Sequence, residues 1–337
     1  MKVAVITESP DIYNLGARKL EAWSKQQGYQ VVYSYRATLE SLMADKAYLS
    51  ALFTWDLPNL IHDANLLKYH GVEVEIGGPA ATVMSDHIWN LTRIKPHLGI
   101  DERFEHVKGD FEMTFTQRGC PRGCEFCLVQ KVEGKKIIEY EDYNIPVGAN
   151  PKVGDNNILC TSWRHQEEFA ERMKIVRNLD INSGFDDRIF VLNPEKYFKL
   201  YRDLKFEAWR FAFDKPEQQE PLKKCVDYLH SQGIGYRKIT VFALIAGPGS
   251  SFEEDRKKLQ FLIDIGCSPY PQRFRPFDTT FRNYIPSSWG PQEDPDLLFG
   301  YYGIAYIWKS CSWQEYLNAK LKGRVIVPSE QTTMWRD

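Results

Sequence analysis

Apolar positions in this chain fall into short runs separated by stretches of helical spacing. Val3 to Ile6 is the first run, closed by Thr7, Glu8, Ser9 and Pro10. Ala17 to Gln27 then has helical character and stops at Gly28, where a helix is expected to end, and Val31 to Tyr35 is β-rich. Leu49 to Thr54 is a further apolar run ahead of a helical stretch from about Leu57 to Tyr69, which ends at Gly71. Val72 to Ile76 closes the series before Gly77-Gly78-Pro79. Strand-like runs alternating with helical stretches predict βαβ units and a parallel sheet, hence a small α/β, Rossmann-like domain over residues 1–97.

Residues 98–114 are mostly polar, lack periodicity and read as a linker. A second alternating series follows over residues 115–285, its first strand expected at Met113–Thr116. Ile158–Leu159 and Ile181–Phe185 read as strand, with a helical stretch from about His165 to Asn178 between them. Asn193-Pro194 is an N-cap with proline at the first helical position, opening a helix to about Tyr201. Trp209 to Asp214, Ile239 to Ile245 and Gln272 to Phe277 are further strand candidates, the middle one the most apolar. Glu217 to Gln232 is helical, and Ser251 to Glu254 is a capping box opening a helix that ends at Gly266. About six β-to-α repeats are too few for an eight-fold barrel, so a partial (β/α)6, TIM-like barrel is expected. The tail, 286–337, carries an aromatic stretch, Leu297 to Leu321, predicted helical.

With 337 residues, 43% apolar and 26% charged, the chain has the composition of a folded globular protein of about two domains. Aromatic residues reach 14%, which suits deep pockets or stacking surfaces. A net charge of −2 argues against a polynucleotide partner. No apolar run approaches the roughly 18 residues of a membrane span, and the N-terminal apolar run is too short for a signal peptide. The expectation is a cytoplasmic protein without a membrane partner.

Three of the 7 cysteines crowd together as Cys120, Cys124 and Cys127, spaced C-x3-C-x2-C, while the other four are scattered. Clustered thiols in a reducing compartment point to metal. Three thiolates on one short loop can hold three corners of a cubane cluster, leaving the fourth iron open. Structural zinc prefers four closed ligands in two pairs, and no second CxxC is present; a zinc site with a distant fourth ligand is the alternative. Gly119, Pro121 and Gly123 suit a loop wrapped around a metal.

With Phe126 just before the third cysteine, this segment resembles the signature of the radical S-adenosylmethionine (radical SAM) superfamily, the likeness spanning about residues 113–280. The resemblance implies a [4Fe–4S] cluster on Cys120, Cys124 and Cys127, whose open iron is chelated by S-adenosylmethionine. One-electron cleavage then yields a 5′-deoxyadenosyl radical that abstracts an unactivated hydrogen. The family's Gly-Gly-Glu-like element after the second strand is replaced by Gly154-Asp155-Asn156-Asn157, so contact with the S-adenosylmethionine amino group would pass to Asp155, Asn156 or Asn157. Ile245 and Gly247 partly match a family motif near the adenine. Ser183, Asp186, Arg188, Arg210 and Asp214 fall in or after barrel strands, as sugar and carboxylate contacts or as ion pairs and strand-end caps.

The first domain lacks a nucleotide-binding glycine fingerprint after its first strand. Asp11-Ile12-Tyr13-Asn14-Leu15-Gly16 instead resembles the D-x-H-x-x-G element of cobalamin-binding domains, with Tyr13 in place of the histidine. Ser50-Ala51-Leu52 and Gly77-Gly78 follow in the family's order, where Ser50, Leu52 and the glycines would line a slot for the dimethylbenzimidazole tail. Tyr13 implies cobalamin without a lower axial histidine. The combined resemblance implies a cobalamin-dependent methyltransferase acting at an unactivated carbon of a small molecule or peptide, with a flavodoxin- or ferredoxin-type reductant. The alternative is a cobalamin-independent radical SAM enzyme catalysing rearrangement or nucleotide modification, its first domain vestigial.

Overall fold

In the computed structural model, which describes residues 1–322, the chain opens with a four-stranded sheet. Its strands are β1 (Lys2–Ile6), β2 (Gln30–Ser34), β3 (Lys46–Ser50) and β4 (Glu73–Gly77), in the order β2-β1-β3-β4. Every pairing is parallel, with Ala4 opposite both Val32 and Ala47, and Leu49 opposite Ile76. The connections include α1 (Leu15–Gln26) and α2 (Leu57–Tyr69); α3 (Pro79–Val83), α4 (Ser85–Thr92) and α5 (Glu102–Glu105) follow β4. β1 is apolar along most of its length because both of its faces are covered. Ala4 and Ile6 pack with Leu49, Leu57, Leu60 and Ile88, whereas Val3 and Val5 pack with Leu15, Tyr48, Phe104 and Phe111. Full burial of side chains such as Val5 or Ile6 is worth roughly 1.5–3 kcal/mol each. Residues 98–114, expected as a linker, thus carry α5 and bury Phe104, Val107 and Phe111 against the first sheet.

A second sheet begins with β5 (Met113–Thr114). β6 (Gln117–Arg118) and β7 (Ile138–Glu139) then form an antiparallel pair that encloses the cysteine loop and α6 (Val129–Val132). β8 (Lys152–Val153), α7 (Trp163–Met173), β9 (Arg177–Ile181), α8 (Asp187–Phe190), α9 (Pro194–Tyr201) and β10 (Lys205–Phe206) follow. β5, β8, β9 and β10 are parallel neighbours in chain order. A third parallel sheet holds β11 (Trp209–Ala212), β12 (Ile239–Ile245) and β13 (Ser268–Arg273), with α10 (Gln219–Ser231) and α11 (Phe252–Asp264) as its crossovers. The chain divides into two compact units. The first comprises Met1–Ser183, Leu200–Phe206 and Pro276–Asn283; the second comprises Gly184–Lys199, Glu207–Arg275 and the described residues from Tyr284 on.

The architecture is α/β with parallel sheets, as the alternation predicts. α2 and β12 fall on their expected bounds. Other strands lie earlier than expected: β9 ends at Ile181, because Gly184 turns at φ +76° where a Cβ would sit 2.8 Å from the Arg210 carbonyl oxygen. β13 likewise ends at Arg273, and Ile158–Cys160 is a 3-10 turn, the strand of that repeat being β8. The aromatic tail forms α12 (Pro295–Tyr302), α13 (Ala305–Ser310) and α14 (Trp313–Leu321) rather than one helix. Residues 323–337 of the expected extension lie outside the described residues. Among the described residues no helix is long and apolar enough to cross a membrane.

Candidate functional site

Tyr13, Ser50, Leu52, Gly77 and Gly78 line one cavity of about 510 Å³ in the first unit. They come from the C-terminal ends of β3 and β4 and from the turns that leave β1, β3 and β4. This edge is where an open parallel sheet binds ligands, at the point where the strand order reverses between β1 and β3. Asn14 organises it. Its Oδ1 caps α1 by accepting from the Ala17 N–H, while its Nδ2 donates to Thr7 Oγ1 at 2.8 Å and to Ser50 Oγ at 3.1 Å. The Tyr13 hydroxyl accepts from the Glu112 N–H at 3.2 Å, and burial raises its pKa.

The two glycines differ in kind. A Cβ on Gly78, at φ +101°, would lie 2.5 Å from the Ala51 carbonyl oxygen, so close backbone packing demands glycine there. A Cβ on Gly77 would meet only His97 Cβ, at 3.8 Å. Among the described residues no packing excludes a side chain at Gly77, and its absence leaves the cavity open.

The cysteine loop leaves β6 and returns to β7. Gly119 stands at its neck with φ +76°, where a Cβ would fall 2.0 Å from the Lys136 carbonyl oxygen. Cys120 donates its N–H to the Gly134 carbonyl and Cys127 to that of Cys124. Cys120, Cys124 and Cys127 are half-buried, as is Phe126. Among the described residues no group of three or more His, Cys, Asp or Glu side chains is gathered to hold a metal ion. The donors nonetheless fit a thiophilic metal in kind: three soft ligands on one loop closed at its base.

Four buried charges that sequence reasoning did not single out hold the root of this loop. Arg118 pairs with Glu105 through Nε at 2.8 Å and Nη2 at 3.1 Å, and with Glu133 through Nη1 at 2.9 Å; its guanidinium lies 3.5 Å from the centre of the Phe115 ring. Lys19 donates to Glu105 Oε2 at 2.9 Å. All four line the cavity. Burial opposes ionisation of Glu105, yet Arg118 and Lys19 beside it pull its pKa below the ordinary value. Lys19 is lowered, chiefly by burial.

Asp155 faces the same root. Its carboxylate accepts from the Thr116 N–H at 2.5 Å, the Gln117 N–H at 3.1 Å and the Thr116 hydroxyl. Burial raises its pKa to about 6 against these hydrogen bonds. Asp155 therefore braces the strand before the cysteines. Asn156 donates to Glu133 Oε2 at 2.5 Å, and Asn157 is buried. A Cβ on Gly154 would strike Met113 and Phe115. Ser183 is exposed beside Asn182, which lines the cavity.

A scan against protein-family models finds no match for the chain, and neither does a search of curated proteins.

The remaining candidates lie in the second unit. Asp186 caps α8 by accepting from the Arg188 N–H and pairs with the Arg188 guanidinium at 2.9 Å. Arg210 pairs with Glu207, and Asp214 accepts from the Leu244 N–H at 3.3 Å. Ile245 and Gly247 flank Ala246, held at φ +57°, and all three are buried. Asp255, also missed in the sequence, holds this turn by accepting from the Ala246 N–H at 2.7 Å and the Ser250 hydroxyl at 3.1 Å. Asp255 belongs to the first turn of a helix whose capping box was legible, which is the signal that could have found it.

Proposed function

We propose that this chain is a radical SAM enzyme, its cysteine loop carrying a [4Fe–4S] cluster and its first-unit cavity taking the tail of cobalamin. The observation that carries the reading is the C-x3-C-x2-C loop between the first and second strands of a parallel α/β series, beside a cavity lined by the positions of the cobalamin-like pattern. The order β2-β1-β3-β4 is that of a doubly wound sheet lacking its last strand, which supports a Rossmann-like first domain. Parallel strands in chain order with helical crossovers support a partial barrel after it.

A cluster there would supply one electron to S-adenosylmethionine, and cobalamin would supply a transferable methyl group. Cys120, Cys124 and Cys127 would be the cluster ligands. Ser50, Leu52 and Gly77 would flank the corrinoid tail, with Gly77 admitting a flat ring. Tyr13, whose hydroxyl is bonded to Glu112, would brace the wall instead of ligating metal. The proposed reaction is methyl transfer to an unactivated carbon.

Reduced under anaerobic conditions after reconstitution, the protein is expected to release 5′-deoxyadenosine from S-adenosylmethionine, and Cys124→Ala to abolish that release. Undiminished release in the variant, or none in the parent, overturns the proposal. Hydroxocobalamin is expected to co-elute with the protein in gel filtration. A cobalamin-independent radical SAM enzyme is the second reading, favoured by the polar atoms of Tyr13 and Ser50 being engaged within the protein. Loss of corrinoid on the column with cleavage retained would select it.

A further inference from the structure

We propose that Glu133 is a positioning residue that locks the cysteine loop to the segment after β8 and to the cavity wall. Its Oε2 accepts from the Gly119 N–H at 3.0 Å and from Asn156 Nδ2 at 2.5 Å, while Oε1 accepts from Arg118 Nη1 at 2.9 Å. Gly119 directly precedes Cys120, whose own N–H donates to the carbonyl of Gly134, the residue after Glu133. Both feet of the loop therefore meet at one point: the outgoing strand binds the Glu133 side chain, and the first cysteine binds the adjoining backbone.

The residue type follows from the donors. A carboxylate only accepts, and it has lone pairs enough for a guanidinium, a backbone N–H and an amide together. A glutamine would turn its own NH2 group toward one of those three and lose that bond. Charge adds a second requirement. Lys19 and Arg118 are balanced by Glu105 and Glu133, all with side chains at most 11% exposed. Removing Glu133 leaves two buried cations on one carboxylate, a state in which the guanidinium is under-compensated. The clasp thus sets the backbone frame of Cys120 before any metal arrives and fixes it relative to Asn156. This inference rests on the geometry of the loop and stands whether or not the thiols serve radical chemistry.

The test uses the full-length, metal-free protein under anaerobic conditions, with cobalt(II) alone as the probe. Thiolate-to-cobalt charge-transfer absorption reports gathering of the cysteines. Amide hydrogen exchange along the buried strand β1 reports folding of the unit that holds the loop, and native-state alkylation of Cys225 and Cys267, both buried, reports folding of the other unit. Glu133→Ala is expected to weaken cobalt binding about 10-fold or more, the usual cost of losing an outer-shell partner, with exchange along β1 unchanged and Cys225 and Cys267 still protected. Glu133→Gln should recover part of that loss. Cobalt affinity in Glu133→Ala within about twofold of the parent overturns the proposal, as does a parent whose thiols take up no cobalt. Should Glu133→Ala open β1 to exchange, Glu133→Gln decides the matter: a folded variant with parental affinity also overturns it. Failure of 5′-deoxyadenosine release leaves these readings unaffected, so the two proposals fail separately.

Discussion

At the C-terminal edge of the first sheet, the candidate groups are held by backbone geometry and one neutral side chain: the Asn14 amide that caps α1, a left-handed glycine at Gly78 and parallel strand ends that carry Ser50 and Gly77 into one cavity. At the root of the cysteine loop the same task falls to buried charge, with Lys19, Glu105, Arg118 and Glu133 linked in sequence and Asp155 bracing the strand beside them. Apart from Asn14, a backbone-built site yields little when one side chain changes. A charge-built site is different, because every member that is removed strands a partner in a poorly solvated place.

The sharpest test of this contrast is Arg118→Met. It leaves Glu133 without its guanidinium and Glu105 with the Lys19 ammonium and the Tyr140 hydroxyl, and is expected to cost about 3–5 kcal/mol in urea-induced unfolding. A loss below about 1 kcal/mol would show that these charges behave like surface pairs. Asp155→Asn comes next. Burial raises the folded pKa of Asp155 from 3.8 to about 6, so the folded state holds a proton that the unfolded chain has released in that window. Its contribution to stability is therefore full below pH 3.8 and declines as pH rises to about 6. The parent-minus-variant difference in unfolding free energy should fall by on the order of 3 kcal/mol across that range. A flat difference would mean that the carboxyl ionises freely. Glu105, whose pKa is lowered, contributes with the opposite slope and loses its effect as pH falls. The smallest stability effect belongs to Gly77→Ala, expected to change unfolding by less than about 1 kcal/mol since the new methyl meets only ordinary contact. That variant should nevertheless lose hydroxocobalamin in gel filtration. Retention equal to the parent would remove the corrinoid tail from the cavity.

The same contrast explains what could be read from the chain. β1, α2 and β12 follow apolar runs and glycine stops, which are local signals, and the cavity positions follow from their spacing after strand ends. β8 went unseen because only Lys152 and Val153 stand between Pro151 and Gly154, too few to show alternation. The strand expected at Met113–Thr116 is interrupted at Phe115 and Thr116, and Asp155 accepts the N–H groups of Thr116 and Gln117 in place of a continuing ladder. Arg118 and Glu133 are close in sequence, but Lys19 and Glu105 are 86 residues apart, and no periodicity marks such a pair. Asp155 was legible as a residue of consequence. Its orientation toward Thr116 was not, because that depends on which backbone donors the fold leaves open nearby.

The near-contact of Gly119 with Lys136 has a consequence for how this loop tolerates change. Because the backbone is pinched shut there, the entropy of bringing the two ends together is settled during folding rather than at capture of a guest. The excursion behaves as a ring with a rigid collar and a variable crown. Exposed crown positions such as Pro121 and Glu125 can be exchanged to tune what approaches the sulfurs, whereas Gly119 in the collar admits no side chain.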